Sequence, residues 1–241
     1  MASGEAVVTL GLYDEANWID PAAVTASAKP KDVGFVLQGK KPFVNDALAA
    51  DYLLLAVQGP NGLALAAVGK DQVTVTAQPT IDNTKPMASV DIDGVEISAS
   101  DLLPMSEEQL AFLTDCGGVA TTAEMVGAGT AIRAMTNGYA KERIQFGKPI
   151  GQYQGVKHRL ADMFVDLESY RSLCYFAAWA VDDSPQELAK AVSMAKGYAS
   201  DAFAQIGIDG AGLYGAIGFT DDYDAQLYTK RSKWVRTTIG D

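Results

Sequence analysis

Short apolar, β-rich runs alternate with polar turn signals over the first hundred residues, and apolar positions then recur every three to four residues almost to the end of the chain. Seven runs in the first part read as strands: Ala6–Leu12, Val33–Gln38, Pro42–Asn45, Tyr52–Gln58, Gly62–Gly69, Val73–Thr76 and Ala88–Ile92. Gly59-Pro-Asn-Gly62 is a strong hairpin signal, and Asp93-Gly94 predicts a second hairpin. Gly39-Lys-Lys41 predicts a short reversal between Phe35-Val-Leu-Gln38 and Phe43-Val44.

The second part is helical. Ser106-Glu-Glu-Gln109 reads as a capping box opening a helix that runs to Ile144, with Gly117-Gly118 loosening its first turns. Gly147-Lys-Pro149 breaks the pattern. A second helix spans Tyr153–Asp182, with Val156, Leu160, Met163 and Leu167 on one face. Ser184-Pro-Gln-Glu187 reads as another capping box, with Pro185 at the first helical position of a third helix ending at Asp209. Gly210 to Gly218 reads as a glycine-rich loop, and a last helix starts at Asp221 or Asp222. The expected fold class is α+β. A small antiparallel β-barrel or sandwich domain occupies residues 1–103, and an up-down four-helix bundle occupies residues 104–241.

Composition narrows the function. The 241 residues carry 19 Lys+Arg against 30 Asp+Glu, a net charge of −11, which argues against nucleic-acid and anionic-membrane partners. No signal peptide is visible and the apolar runs are too short to span a bilayer, so the expected location is cytoplasmic. Two cysteines, Cys116 and Cys174, exclude a disulfide framework and, with one histidine, His158, leave too few ligands for a zinc site; a hydrolase triad would have to use His158, which argues against one. Both cysteines and Trp179 read as core, Trp18 and Trp234 as covers for exposed apolar edges, and His158 as structural.

The segment from Glu142 to Met163 carries the chemistry. A helix ends at Phe146-Gly147, the chain turns, and a second helix begins near Gln152, so Arg143 and Gln154 fall close together. A guanidinium at such a break suits a phosphate or carboxylate. A surface arginine and a helix-capping glutamine account for the same residues.

Arg143-x-x-Phe146-Gly147, Pro149-Ile150, Gln154 and Leu160-Ala-Asp-Met163 resemble the C-terminal signature of the acyl-CoA dehydrogenase family. Gly212-Leu-Tyr-Gly-Ala-Ile-Gly-Phe-Thr220, followed by Asp224 and Leu227-Tyr-Thr-Lys-Arg231, is similar to that family's glycine loop and the helix after it. Gly34 to Gly39, Lys41, Phe43-Val-Asn45 and Ala50-Asp51 resemble its middle β domain. The resemblance implies an FAD enzyme that oxidises an acyl-CoA thioester between Cα and Cβ, as a homo- or hetero-oligomer with the cofactor between subunits. It implies that Arg143 faces the pyrophosphate and that Phe146 and Gln154 line the adenosine part. Gly215 would admit the cofactor to the loop backbone, and Phe43 and Asn45 would contact the isoalloxazine ring.

Three features depart from the family pattern. The chain begins at the β domain, without the helical segment that usually closes the acyl pocket. The position of the usual catalytic glutamate falls at Ile239 or Gly240, and the alternative position falls at Gly117-Gly118; Asp115, Glu124 and Asp241 are the nearby acids, with Glu124 and Asp241 the candidate bases. The flavin-side loop is reduced to Asp14-Glu-Ala-Asn-Trp-Ile-Asp20, and Gly212, Tyr214 and Ala216 replace the usual glutamine, histidine or phenylalanine, and glycine. The expectation is a base-lacking subunit of a heteromeric dehydrogenase. Alternatives are a non-catalytic assembly module and a domain-truncated form of a conventional homo-oligomeric dehydrogenase.

Overall fold

The structure is a computed structural model that describes residues 3–14 and 23–239. Contacts divide the chain into two compact units, residues 1–112 and 113–241.

The first unit holds two sheets. In the larger, β1 (Val8–Gly11), β2 (Ser27–Pro30), β3 (Phe35–Gln38), β5 (Tyr52–Gly59), β6 (Gly62–Gly69), β9 (Glu96–Ile97) and β10 (Leu102–Pro104) form the path β10-β6-β5-β2-β3-β9, with β1 also on β5. In the smaller, β4 (Lys40–Asn45), β7 (Thr74–Gln78) and β8 (Met87–Asp91) run β4-β8-β7. Most pairings are antiparallel; β1 and β2 join β5 in parallel. The β5–β6 hairpin closes with Gly59 opposite Gly62, as the turn signal requires. Leu37, Leu53, Leu55 and Val57 of one sheet and Val44, Ala88 and Val90 of the other share one core. This is the sandwich that alternating inward residues produce.

Two expected reversals do not pair neighbours. Gly39 does not turn β3 back on β4; it passes the chain from one sheet to the other. Its φ is +121°, and a Cβ there would lie 3.0 Å from the Ala26 backbone, so only glycine fits this crossing. Asp93-Gly94 does form a turn, with Gly94 at φ +77°, but it links β8 to β9 across sheets and makes no hairpin.

The second unit is built by α1 (Glu107–Glu142), α2 (Gln154–Asp183), α3 (Pro185–Tyr214) and α4 (Ala225–Thr237). The Ser106 box forms as expected: Ser106 N–H donates to Gln109 Oε1 at 2.9 Å and Gln109 N–H donates to Ser106 Oγ at 3.1 Å. Ser184 departs from expectation. Its hydroxyl accepts from the Gln186 side chain at 2.8 Å and caps no backbone amide.

Gly117 and Gly118 leave α1 unbroken. A Cβ on Gly117 would lie 2.5 Å from Ile239 Cδ1, and one on Gly118 2.5 Å from Val192 Cγ1, so these glycines serve close packing. The same reason carries α3 past its expected end: Gly210 lies inside the helix, where a Cβ would fall 2.6 Å from Ile132 Cγ1. The glycine loop therefore begins at Gly215, with a 3₁₀ turn over Gly215–Phe219. Met163, Leu167, Tyr170, Phe203 and Ile206 fill the bundle core. Cys174 is buried, Cys116 is half-buried, and Trp179 is exposed and stacked on Phe176. Trp18 lies outside the described residues.

Candidate functional site

The link between α1 and α2 is a miniature hairpin. β11 (Ile144–Gln145) pairs antiparallel with β12 (Lys148–Pro149), leaving Phe146 and Gly147 at the tip. Both tip residues have positive φ, +51° and +82°. That combination suits the twist of a two-residue hairpin turn. Glycine adopts it freely, whereas a phenylalanine is disfavoured there by roughly 1–2 kcal/mol. Despite this, Phe146 is 93% exposed.

Tyr153 pins the hairpin from the side. Its hydroxyl donates to Gln145 O at 3.0 Å and reaches Phe146 O at 3.4 Å. Its ring meets the Phe146 ring edge-on at 6.5 Å, and Lys148 Nζ lies 4.4 Å above its centroid. The base is closed by Arg143 N–H to Tyr139 O and Ile150 N–H to Arg143 O, both 2.8 Å. Arg143 and Gln154 are both exposed. Gln154 is the first residue of α2, and no side chain caps that helix. Arg143 and Phe146 lie in the connection between α1 and α2, and Gln154 opens α2.

Gly215 terminates α3 with φ +71°, and no atom lies within 4 Å of where a Cβ would stand. Its surface is open, as close backbone approach by a ligand requires. Just before it, Tyr214 stacks on Tyr139 at 4.3 Å and lies 5.5 Å from Tyr223. Burial raises the Tyr214 phenol above its ordinary range, with Tyr139, Tyr223 and Asp224 adding to it.

Phe43 and Asn45 belong to the first unit. They lie on β4, beside a shift in register against β8 between Lys41 and Val44. Phe43 is half-buried. The backbone carbonyl of Asn45 accepts from Thr9 Oγ1 at 2.6 Å, whereas its side-chain Oδ1 is buried without a hydrogen-bond partner among the described residues. Lys41, two residues before Phe43, is fully buried and holds Asp14 Oδ1 at 2.6 Å. Asp14 also accepts from the Thr25 and Ala26 amides.

The two sequence positions considered for a catalytic carboxylate meet in space. The Ile239 side chain packs on Gly117, beside a cavity of about 210 Å³ lined by Thr114, Asp115, Val192, Ser193, Lys196 and Ile239. Burial raises the Asp115 carboxyl above its ordinary range. Glu124 is ion-paired to Arg231 across α1 and α4. Asp241 and Gly240 lie outside the described residues, as does most of the segment after Asp14. Among the described residues no cluster of His, Cys, Asp and Glu could hold a metal, and no helix is long and apolar enough to cross a membrane.

Nothing in the sequence signals the hydrogen bonds of Tyr153, the stacking of Tyr139 or the pairing of Lys41 with Asp14. Their parts depend on contacts between residues that are separated along the chain.

Residues 117–241 match the family described as "Acyl-CoA dehydrogenase, C-terminal domain". The chain belongs to the acyl-CoA dehydrogenase family. It is 32% identical over 170 residues to the acyl-CoA dehydrogenase IpdE2 of Mycolicibacterium smegmatis, a match covering 70% of this chain and 50% of that protein. Its fold superposes on an FAD-dependent dehydrogenase with a TM-score of 0.89 and 27% identity, covering 99% of this chain and 67% of the other. It also superposes on a chain of the ChsE4-ChsE5 complex from Mycobacterium tuberculosis with a TM-score of 0.88 and 25% identity, covering 98% and 63%. The chain therefore spans half to two thirds of the length of these relatives.

Proposed function

We propose that the chain is one subunit of an FAD-dependent acyl-CoA dehydrogenase that oxidises an acyl thioester between Cα and Cβ, and that a partner subunit supplies the proton-abstracting carboxylate. One observation carries this reading. Where the family places its base, an isoleucine side chain packs onto a glycine, so neither Ile239 nor Gly117 offers a carboxylate. The chain's similarity to part of a two-protein complex supports a heteromeric assembly.

The residues present fit an FAD. Arg143 offers a cation for the pyrophosphate and Gln154 an amide for the adenosine part. Phe146 offers an exposed ring for stacking, and Gly215 an open stretch of backbone. On β4 the Asn45 side chain would offer an amide to the isoalloxazine edge, and the half-buried Phe43 ring would pack beside it. The bound flavin supplies the hydride acceptor. The chain's own residues bind and orient it; the α proton leaves to the partner's carboxylate.

The test is an absorption spectrum, native mass and acyl-CoA oxidation assay on the chain alone and co-expressed with a dehydrogenase-like product of a neighbouring gene. Flavin bands with activity confined to the mixed assembly are expected. A colourless, inactive mixed complex overturns the reading. Within an active complex, Arg143→Ala is expected to weaken FAD retention by about tenfold or more, the loss of one charge-assisted contact. Titration with FAD checks it.

A further inference from the structure

We propose that Tyr153 is a positioning residue that holds the Phe146-Gly147 tip in its ligand-facing shape before any cofactor arrives. This proposal rests on the flavin reading above.

The tip has every reason to be loose. Its two strands are two residues each, too short to hold a hairpin unaided. Phe146 is in the left-handed region and almost wholly exposed, so burial of its own ring does not hold it there. A non-glycine residue keeps such a conformation only where its surroundings over-determine it. The surroundings here are largely one side chain. The Tyr153 hydroxyl binds the Gln145 carbonyl and reaches the Phe146 carbonyl, its ring edge meets Phe146, and its face carries the Lys148 ammonium. Three of the four residues from Gln145 to Lys148 are therefore fixed to a single half-buried ring.

Arg143 roots the same hairpin, and Gln154 follows Tyr153 directly. Fixing the ring fixes the Phe146 contact directly, between the backbone-held Arg143 and the helical Gln154. A tip ordered in advance loses less conformational freedom when a ligand binds, and affinity rises accordingly.

The hydroxyl can be removed alone. Tyr153→Phe keeps the ring, its edge contact with Phe146 and the stacked ammonium. The full chain is compared with Tyr153→Phe, Phe146→Ala and the double variant, each assembled with its partner for the FAD titrations. Three readouts are taken: thermal melting, amide hydrogen exchange of Gln145–Lys148 in the flavin-free chain, and FAD dissociation constant from flavin fluorescence.

In Tyr153→Phe we expect unchanged melting, exchange about tenfold faster confined to the hairpin, and FAD binding weaker by about fivefold, the equivalent of one net hydrogen bond. If Tyr153 acts through Phe146, adding Tyr153→Phe to Phe146→Ala weakens binding by less than about twofold further. Unchanged exchange or unchanged FAD affinity in Tyr153→Phe, or fully additive losses in the double variant, overturns this proposal alone. A parent assembly that binds no FAD overturns the flavin reading and the cofactor-directed role of Tyr153 with it.

Discussion

Lys41 is a lysine with no solvent contact, and among the described residues its ammonium is paired with the Asp14 carboxylate. Burial raises the Asp14 carboxyl, but the Lys41 ammonium and the Thr25 and Ala26 amides outweigh it and hold the group below the usual carboxylate range. Deleting one partner strands the other charge in the core. Lys41→Met is therefore expected to destabilise the fold by about 3–5 kcal/mol, whereas Asp14→Leu with Lys41→Met recovers most of that loss. Urea melts at neutral pH check both. The sign of the pH dependence follows from the depressed native value. The stabilisation is fully present above the unfolded carboxyl's pKa of about 3.9 and is lost as pH falls through the lower native one. Acid titration of the double variant should lack this component. Gly129 makes the same kind of point in the bundle. A methyl there would overlap the Tyr170 hydroxyl, which donates to Met125 O at 3.2 Å, so Gly129→Ala is expected to destabilise by about 1–3 kcal/mol in denaturant melts.

At the scale of elements, the apolar runs flanking a strong turn signal were legible, β5 and β6 on either side of Gly59–Gly62, as were the limits of α1 and α2 and the start of α3. The strands that escaped are short or carry an unfavourable residue. β2 is Ser27-Ala-Lys-Pro30, and β9 has two residues. Such segments are recruited by neighbours already in place, a tertiary effect that propensity does not report. Glycine misled twice for one reason. Gly117-Gly118 and Gly210 look like breaks, yet they let helices approach, as the 2.5–2.6 Å overlaps with Ile239, Val192 and Ile132 show. The site divides along the same line. Arg143 and Phe146 in the connection and Gln154 at the start of α2 could be grouped by spacing, while Tyr153 acts through the fold of the turn itself. The Ser106 cap was readable because its partner is three residues away. Ser106→Ala is expected to lower stability by about 1 kcal/mol and fray the first turn of α1, seen as faster exchange at Gln109.

For the whole molecule, the −11 charge and the exposed aromatic residues pull in opposite directions. Phe164, Tyr175 and Trp179 lie along α2 with 48%, 67% and 48% of their surfaces open. Exposed rings at helical spacing are a common mark of an interface, in keeping with the proposed assembly. Native mass spectrometry is expected to show an oligomer that Tyr175→Lys with Trp179→Lys weakens. Two copies of this chain carry like net charge, so any association between copies should strengthen between low and moderate salt. A mass unchanged by both substitutions would move the interface elsewhere.

Ser184 stands alone between two helices of 30 residues each, α2 and α3. A link of one residue has almost no loop to close, so pairing these helices loses little chain entropy beyond the helices themselves. β5, by contrast, must gather β1 from 44 positions earlier, Val8 opposite Tyr52. The α2–α3 pair is therefore the natural starting point for folding, and the sandwich, with its distant pairings, the slow partner. On a ribosome the sandwich emerges first and yet assembles slowly, so the later-made helices would set when the proposed interface along α2 first becomes available.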